Sequence, residues 1–231
     1  MKLCLIIFSI IVLSFSSITL AHGLSPQEIQ LQQDKKKYKA YIPKNYVLFE
    51  AIQGDLNKDG LDDLVLIIKA TDPQAWVYDE YKGKLDRNRR GIIILLRENS
   101  GYKKIVQNLS AFSSENEDGG VYFAPEFTIE IKNNRLNIFY GHGRYGWWEY
   151  RFRLEKNDFR LIGYESSDNH GPYIDKQVSI NFLTNKKLIR NNINLDDRDK
   201  PEYFKERWVD VNFPSIFLSE IKQFDELYFD E

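Results

Sequence analysis

Asp55, Asn57 and Asp59 place oxygen-bearing side chains on alternate residues, Gly60 follows at once, and Asp63 closes the run Gly-Asp-Leu-Asn-Lys-Asp-Gly-Leu-Asp-Asp over residues 54–63. Alternate residues of a tight loop bring their oxygens toward one centre. A glycine lets the backbone reverse sharply, and the Leu61 carbonyl can then face the same point. Hard oxygen donors on short, flexible side chains suit calcium. Asp55, Asp59, Asp62 and Asp63 crowd four carboxylates together with only Lys58 to offset them, so a folded loop without a cation suffers like-charge repulsion. That repulsion argues against the plain alternative, an acidic hairpin that binds nothing. No general base is paired with an open coordination position, so the expected ion is a structural staple rather than a catalyst. With a dissociation constant of about 0.1 mM and calcium at about 1 mM, such a staple adds roughly 1.4 kcal/mol.

The elements that must hold this loop are strands. An EF-hand needs Glu at the twelfth position and a following helix, whereas that position is Leu66 inside the apolar run 64–68. After Pro43 the chain breaks into short Val-, Ile-, Phe- and Tyr-rich runs separated by Gly, Asn and Asp clusters, the pattern of an all-β fold. The expected strands are 46–52, 64–69, 91–97, 103–107, 127–131, 135–140, 147–155, 158–165 and 177–182. Asn99-Ser100-Gly101, Lys132-Asn133-Asn134 and Lys156-Asn157 each sit between two such runs and mark hairpins. The fold class is therefore mainly β, built of antiparallel meander sheets as a sandwich, an open twisted sheet or a partial propeller-like array. Short helices flank it. Ser25-Pro26-Gln27-Glu28 opens the first, and apolar residues at 221, 224, 227 and 228 predict a second over 219–228.

With a strand on either side, the 55–63 loop resembles the calcium loop of FG-GAP repeats, the type found in integrin α-chain propellers and many secreted bacterial proteins. The resemblance implies that Asp55, Asn57, Asp59 and Asp63 are side-chain calcium ligands and that Leu61 gives its carbonyl. The single loop departs from that family's tandem repeats, and a full propeller of many four-stranded blades needs a longer chain. More loosely, the layout is similar to uncharacterised exported bacterial proteins that carry one such loop.

Lys2 precedes an apolar run from Leu3 to Leu20, and Thr19-Leu20-Ala21 supplies small residues at the spacing of signal cleavage. Residues 1–21 therefore read as an export signal and 22–231 as one β-rich domain, periplasmic or secreted, with no stable membrane insertion after cleavage. An uncleaved anchor is the alternative. The single cysteine, Cys4, lies in the signal, so the domain stands without disulfides. Lys and Arg total 32 against 34 Asp and Glu, which excludes an evenly spread basic footprint for nucleic acid.

Aromatic residues make up 14% of the chain. Tyr140, His142, Tyr145, Trp147 and Trp148 gather around the glycines of Gly141-His142-Gly143-Arg144-Tyr145-Gly146, a composition suited to stacking on sugar rings or anchoring a protein partner. Core packing is the competing reading, since a strand turns alternate residues inward. The same glycines spell a dinucleotide-binding pattern, yet the residues after them alternate as a strand rather than opening a helix. Glu149 with Asp168 and His170 with Asp175 are nominal acid–base pairs for hydrolysis. Cleavage after Ala21 would expose His22, which with His142 or His170 could hold copper as lytic polysaccharide monooxygenases do. The expected function is thus an exported, calcium-stapled binding or structural module recognising a protein or glycan, with a polysaccharide-active hydrolase or copper oxidase as the alternative.

Overall fold

Ser25 begins the first element in the way its sequence promises. Its hydroxyl accepts the Glu28 N–H at 3.2 Å while Glu28 Oε2 accepts the Ser25 N–H at 2.7 Å, so helix α1 (Pro26–Lys37) starts with both orphan donors satisfied. In the computed structural model, which describes residues 24–116, 125–195, 200–227 and 229, everything after this helix is strand, turn or short 3-10 segment. The export signal, Cys4 and His22 lie outside the described residues. Among the described residues no helix is long and apolar enough to cross a membrane.

The chain is mainly β, with every strand pair antiparallel. Strands β1 (Tyr46–Gly54), β2 (Asp63–Ala70), β3 (Trp76–Asp79), β4 (Gly83–Asp86), β5 (Arg90–Glu98) and β6 (Gly101–Phe112) come first. Then follow β7 (Glu126–Lys132), β8 (Arg135–Gly141), β9 (Gly146–Glu155), β10 (Asp158–His170), β11 (Tyr173–Asn181), β12 (Lys186–Asn192) and β13 (Phe204–Asp210). They make a four-stranded sheet in the order β1-β2-β5-β6, a seven-stranded meander from β13 back to β7, and a separate β3-β4 hairpin.

Central strands β2 and β5 are apolar on both faces, and each face meets a different layer. Leu64, Leu66, Ile68, Ile93 and Leu95 pack with Tyr38 and Leu48 under α1. Val65, Ile67, Ile92 and Ile94 face the seven-stranded sheet and join Ile138, Tyr150, Phe152 and Leu161 in one core. The order of layers is helix, small sheet, large sheet, and the far side of the large sheet has no layer against it among the described residues.

Among the described residues the expected helix over 219–228 is absent, Tyr228 lying outside them, and its segment fills the core instead. Leu218, Ile221, Phe224 and Phe229 are all buried there. Asn108 Nδ2 donates to the carbonyls of Leu218 at 2.9 Å and Ile221 at 2.6 Å, taking acceptors that a helix would need for itself. Two short 3-10 turns, Leu218–Glu220 and Phe224–Glu226, are what remains of helical geometry.

Candidate metal centre

The hairpin joining β1 to β2 is the oxygen-rich loop, and its side chains curl onto its own backbone. Asp55 Oδ1 accepts the Lys58 N–H at 2.6 Å, and Asp55 Oδ2 accepts that of Gly60 at 3.1 Å. Asn57 Oδ1 accepts the Asp59 N–H at 2.9 Å, and Asp59 Oδ1 accepts that of Leu61 at 2.8 Å. Asn57 Nδ2 donates to Asp59 Oδ2 at 2.8 Å. These nested bonds need two residues with positive φ, Lys58 at 69° and Gly60 at 83°. The result is a tight coil with Asp55, Asn57 and Asp59 turned toward its inside.

Asp63 stands apart from the others. It is 0% exposed, and both its oxygens are engaged: Oδ2 accepts the Leu56 N–H and Oδ1 the Arg97 N–H, each at 2.8 Å. One carboxylate therefore ties the start of the loop to the end of β5. Burial pushes its carboxyl group up from the ordinary aspartate range, the Arg97 and Leu56 N–H groups pull it back, and the nearby Asp59 charge pushes it up again. A cation at the loop would offset the Asp59 charge and favour the ionised carboxylate against the cost of its burial.

The donor set is carboxylate, amide oxygen and carbonyl, with no sulfur or imidazole, which is the chemistry of a calcium site. Each carboxylate oxygen has a second lone pair beyond the one its N–H donor uses, so the nested bonds and an ion are compatible. Among the described residues, no three carboxylate, imidazole or thiol groups converge closely enough to hold an ion as they stand. Asp55, Asp59 and Asp63 would have to draw together to meet one. By the chemistry of the donors the loop fits calcium, with Asp55, Asn57, Asp59 and Asp63 offering side-chain oxygens and half-exposed Leu61 its carbonyl.

A further contact fixes the loop to the large sheet. Asn134, in the β7–β8 turn with φ of 56°, donates its Nδ2 to the Asp55 carbonyl at 2.8 Å. Next to it Gly54 lies so close to Ile131 that a Cβ would stand 2.9 Å from that side chain. Nothing in the loop's own sequence announced this contact, because its partner sits in a hairpin far along the chain.

The aromatic group divides along the strand period. Tyr140 is 0% exposed, between Phe127 and Trp148 with ring centroids 5.1 and 5.8 Å away, and it belongs to the core. Trp148 packs against the same core and stacks on His142 at 3.9 Å. Tyr145 is half-exposed in the 3-10 turn Gly143–Tyr145, with the Arg144 guanidinium near its ring. Trp147 faces the other way from Trp148 and stacks loosely on Phe139, centroids 6.0 Å apart. The five residues therefore do not form one platform.

Of the nominal acid–base pairs, Glu149 and Asp168 stand on opposite faces of the large sheet by strand register. His170 and Asp175 do share a cleft of about 200 Å³ with Tyr173, Asn192 and Glu202. No protein-family model, curated protein or solved structure matches this chain.

Proposed function

We propose that the chain is an exported recognition module, a β-rich domain whose β1–β2 loop binds calcium as a structural staple and whose large sheet meets a protein or glycan. The observation that carries the calcium part is the nested set of side-chain-to-backbone bonds, which curls three alternate oxygen donors inward above the buried carboxylate of Asp63. The likeness to FG-GAP loops draws support from the loop's place at the first hairpin of a four-stranded antiparallel sheet, the strand count of one propeller blade. The role is structural. At millimolar calcium the ion favours the folded state by about 1.4 kcal/mol if its dissociation constant is about 0.1 mM.

Thermal melting of the exported chain with calcium and then with excess chelator tests the staple. The midpoint rises with calcium if the reading is right. An unchanged midpoint, with calcium binding undetectable by titration calorimetry, removes it.

A further inference from the structure

The large sheet has one face against the core and one that no described layer covers. Strand register places two neighbouring rows of side chains across the uncovered face. One row runs Trp147, Ser167, Gln177, Arg190, Glu206 from β9 to β13. Beside it runs Phe139, Glu149, Glu165, Ser179, Leu188, Trp208. Between these two rows lies a cleft of about 260 Å³, lined by Trp147, Glu165, Gln177, Ser179, Leu188 and Arg190 among others.

The polar groups of this cleft are held in place. Arg190 Nη1 donates to Gln177 Oε1 at 3.0 Å, its Nε lies 3.0 Å from Glu206 Oε1, and its guanidinium sits 5.2 Å from the Phe204 ring centroid. On the opposite wall Glu165 lies 3.5 Å from Arg151 Nη2, which also donates to Glu149 at 3.0 Å. Trp147 supplies an aromatic surface backed by Phe139. Gln177, with its oxygen taken by Arg190, keeps donor capacity in its amide group.

The charges decide what fits. An anion entering the cleft meets Glu165, with Glu149 next in the same row, and a cation meets Arg190. An apolar ligand would strip water from both charges without replacing its hydrogen bonds. A hydroxyl group both donates and accepts, so a polyhydroxylated, uncharged ligand can satisfy the carboxylate and the guanidinium together. The C–H face of a sugar ring also matches the apolar face of an indole. We infer that this cleft binds a neutral saccharide chain, with Trp147 as the stacking surface, Arg190 and Gln177 as donors, and Glu165 and Ser179 as acceptors. The inference rests on the recognition part of the function proposed above and is independent of the calcium loop.

Native gels cast with xylan, hydroxyethylcellulose, glucomannan or dextran, and with polygalacturonate as the charged comparison, test it on the full chain. At least one neutral polymer retards the protein, with and without chelator. Titration with its oligosaccharides shows affinity weakened about tenfold by Trp147→Ala and by Arg190→Ala, a loss of about 1.4 kcal/mol. Glu165→Gln, which keeps an acceptor oxygen, weakens it only about threefold, and Trp76→Ala on the distant β3–β4 hairpin leaves it unchanged. Ser179→Arg fills the cleft from an exposed position on the uncovered face, and it abolishes retardation while the melting midpoint holds. Retardation by none of the neutral polymers overturns the inference. So does retardation that survives Ser179→Arg, and retardation by polygalacturonate alone assigns the face to a polyanion instead. If calcium fails to shift the melting midpoint while neutral polymers still retard the chain, the staple falls and the saccharide cleft stands.

Discussion

Asp59→Ala and Asp63→Ala separate ion binding from simple anchoring, because the two carboxylates sit in different surroundings. Asp59 lies on the outer part of the loop, where its partners are the Leu61 N–H and Asn57 Nδ2, both in exposed positions that water can serve. In chelator its loss is expected to cost about 0.5 kcal/mol or less, as for most surface changes. Asp63 is fully buried and holds the N–H of Leu56, a residue only 2% exposed, together with that of Arg97. Stranding the first donor and weakening the second is expected to cost about 2–3 kcal/mol even in chelator, which is ~4–12 °C in a domain of this size. Calcium at about 1 mM should raise the wild-type midpoint by ~3–6 °C and leave both variants where they were in chelator. Circular dichroism melts in 1 mM calcium chloride and in 1 mM EDTA give all six midpoints. Equal wild-type midpoints in the two buffers, or an Asp59→Ala protein that still gains the full calcium shift, would refute the reasoning.

Three other substitutions probe the frame that holds the loop. Gly146→Ala puts a Cβ 1.8 Å from the Ser167 carbonyl oxygen at a φ of 114°, so it should cost more than about 3 kcal/mol and lower soluble yield, read from near-ultraviolet circular dichroism of the purified protein. Phe224→Ala empties a buried site between Phe112 and Tyr150, with centroids 5.0 and 5.1 Å away, and should cost about 3–5 kcal/mol in urea unfolding. Lys69 lies 2.9 Å from Asp86 and 2.7 Å from Glu115 and is mostly buried. Burial works to lower the Lys69 pKa, but its bonds to Glu115 and Asp86 outweigh that and raise it; for Asp86 burial works upward, and Lys69 and Asn88 outweigh it and hold the carboxyl below its usual range. The stability from Asp86 is therefore present above about pH 4 and lost as pH falls through its lowered value, while that from Lys69 is present below about pH 10 and lost as pH rises through its raised value. Lys69→Met should cost about 1–2 kcal/mol at pH 7 and flatten the acid limb, so urea midpoints of the two proteins should draw together as the pH falls below about 4.

The fold was legible where local chemistry and final structure agree. Strands β1, β2, β5 and β7 to β10 alternate or run apolar in the sequence, and the Asn133-Asn134 turn with both φ angles positive is what its residues foretold. The β3–β4 hairpin escaped because its aromatic residues stay outside: Tyr78 is 83% exposed, so no buried face imposed a pattern on it. Strands β12 and β13 escaped for a related reason. One of their faces is uncovered and carries Arg190 and Glu206, and β13 is an edge strand with Lys205, Glu206, Arg207 and Asp210, the charges that discourage further pairing. The apolar spacing at the end of the chain matches a helix face. It marks instead a segment inserted between sheets, where neighbours on several sides take up its side chains and Asn108 takes up its carbonyls. At the loop, residue types and spacing are enough to name the proposed donors, but the anchoring bonds to Arg97 and Asn134 come from residues remote in the chain and leave no local sign.

Because Asn134 reaches the Asp55 carbonyl and Ile131 leaves room only for a hydrogen at Gly54, the acidic hairpin is a rivet through both sheets rather than an ornament on one. Loosening it frees two plates to slide, and the amide protons that first exchange with solvent should be those along the β1 and β7 margins, beside the loop and the turn that grips it.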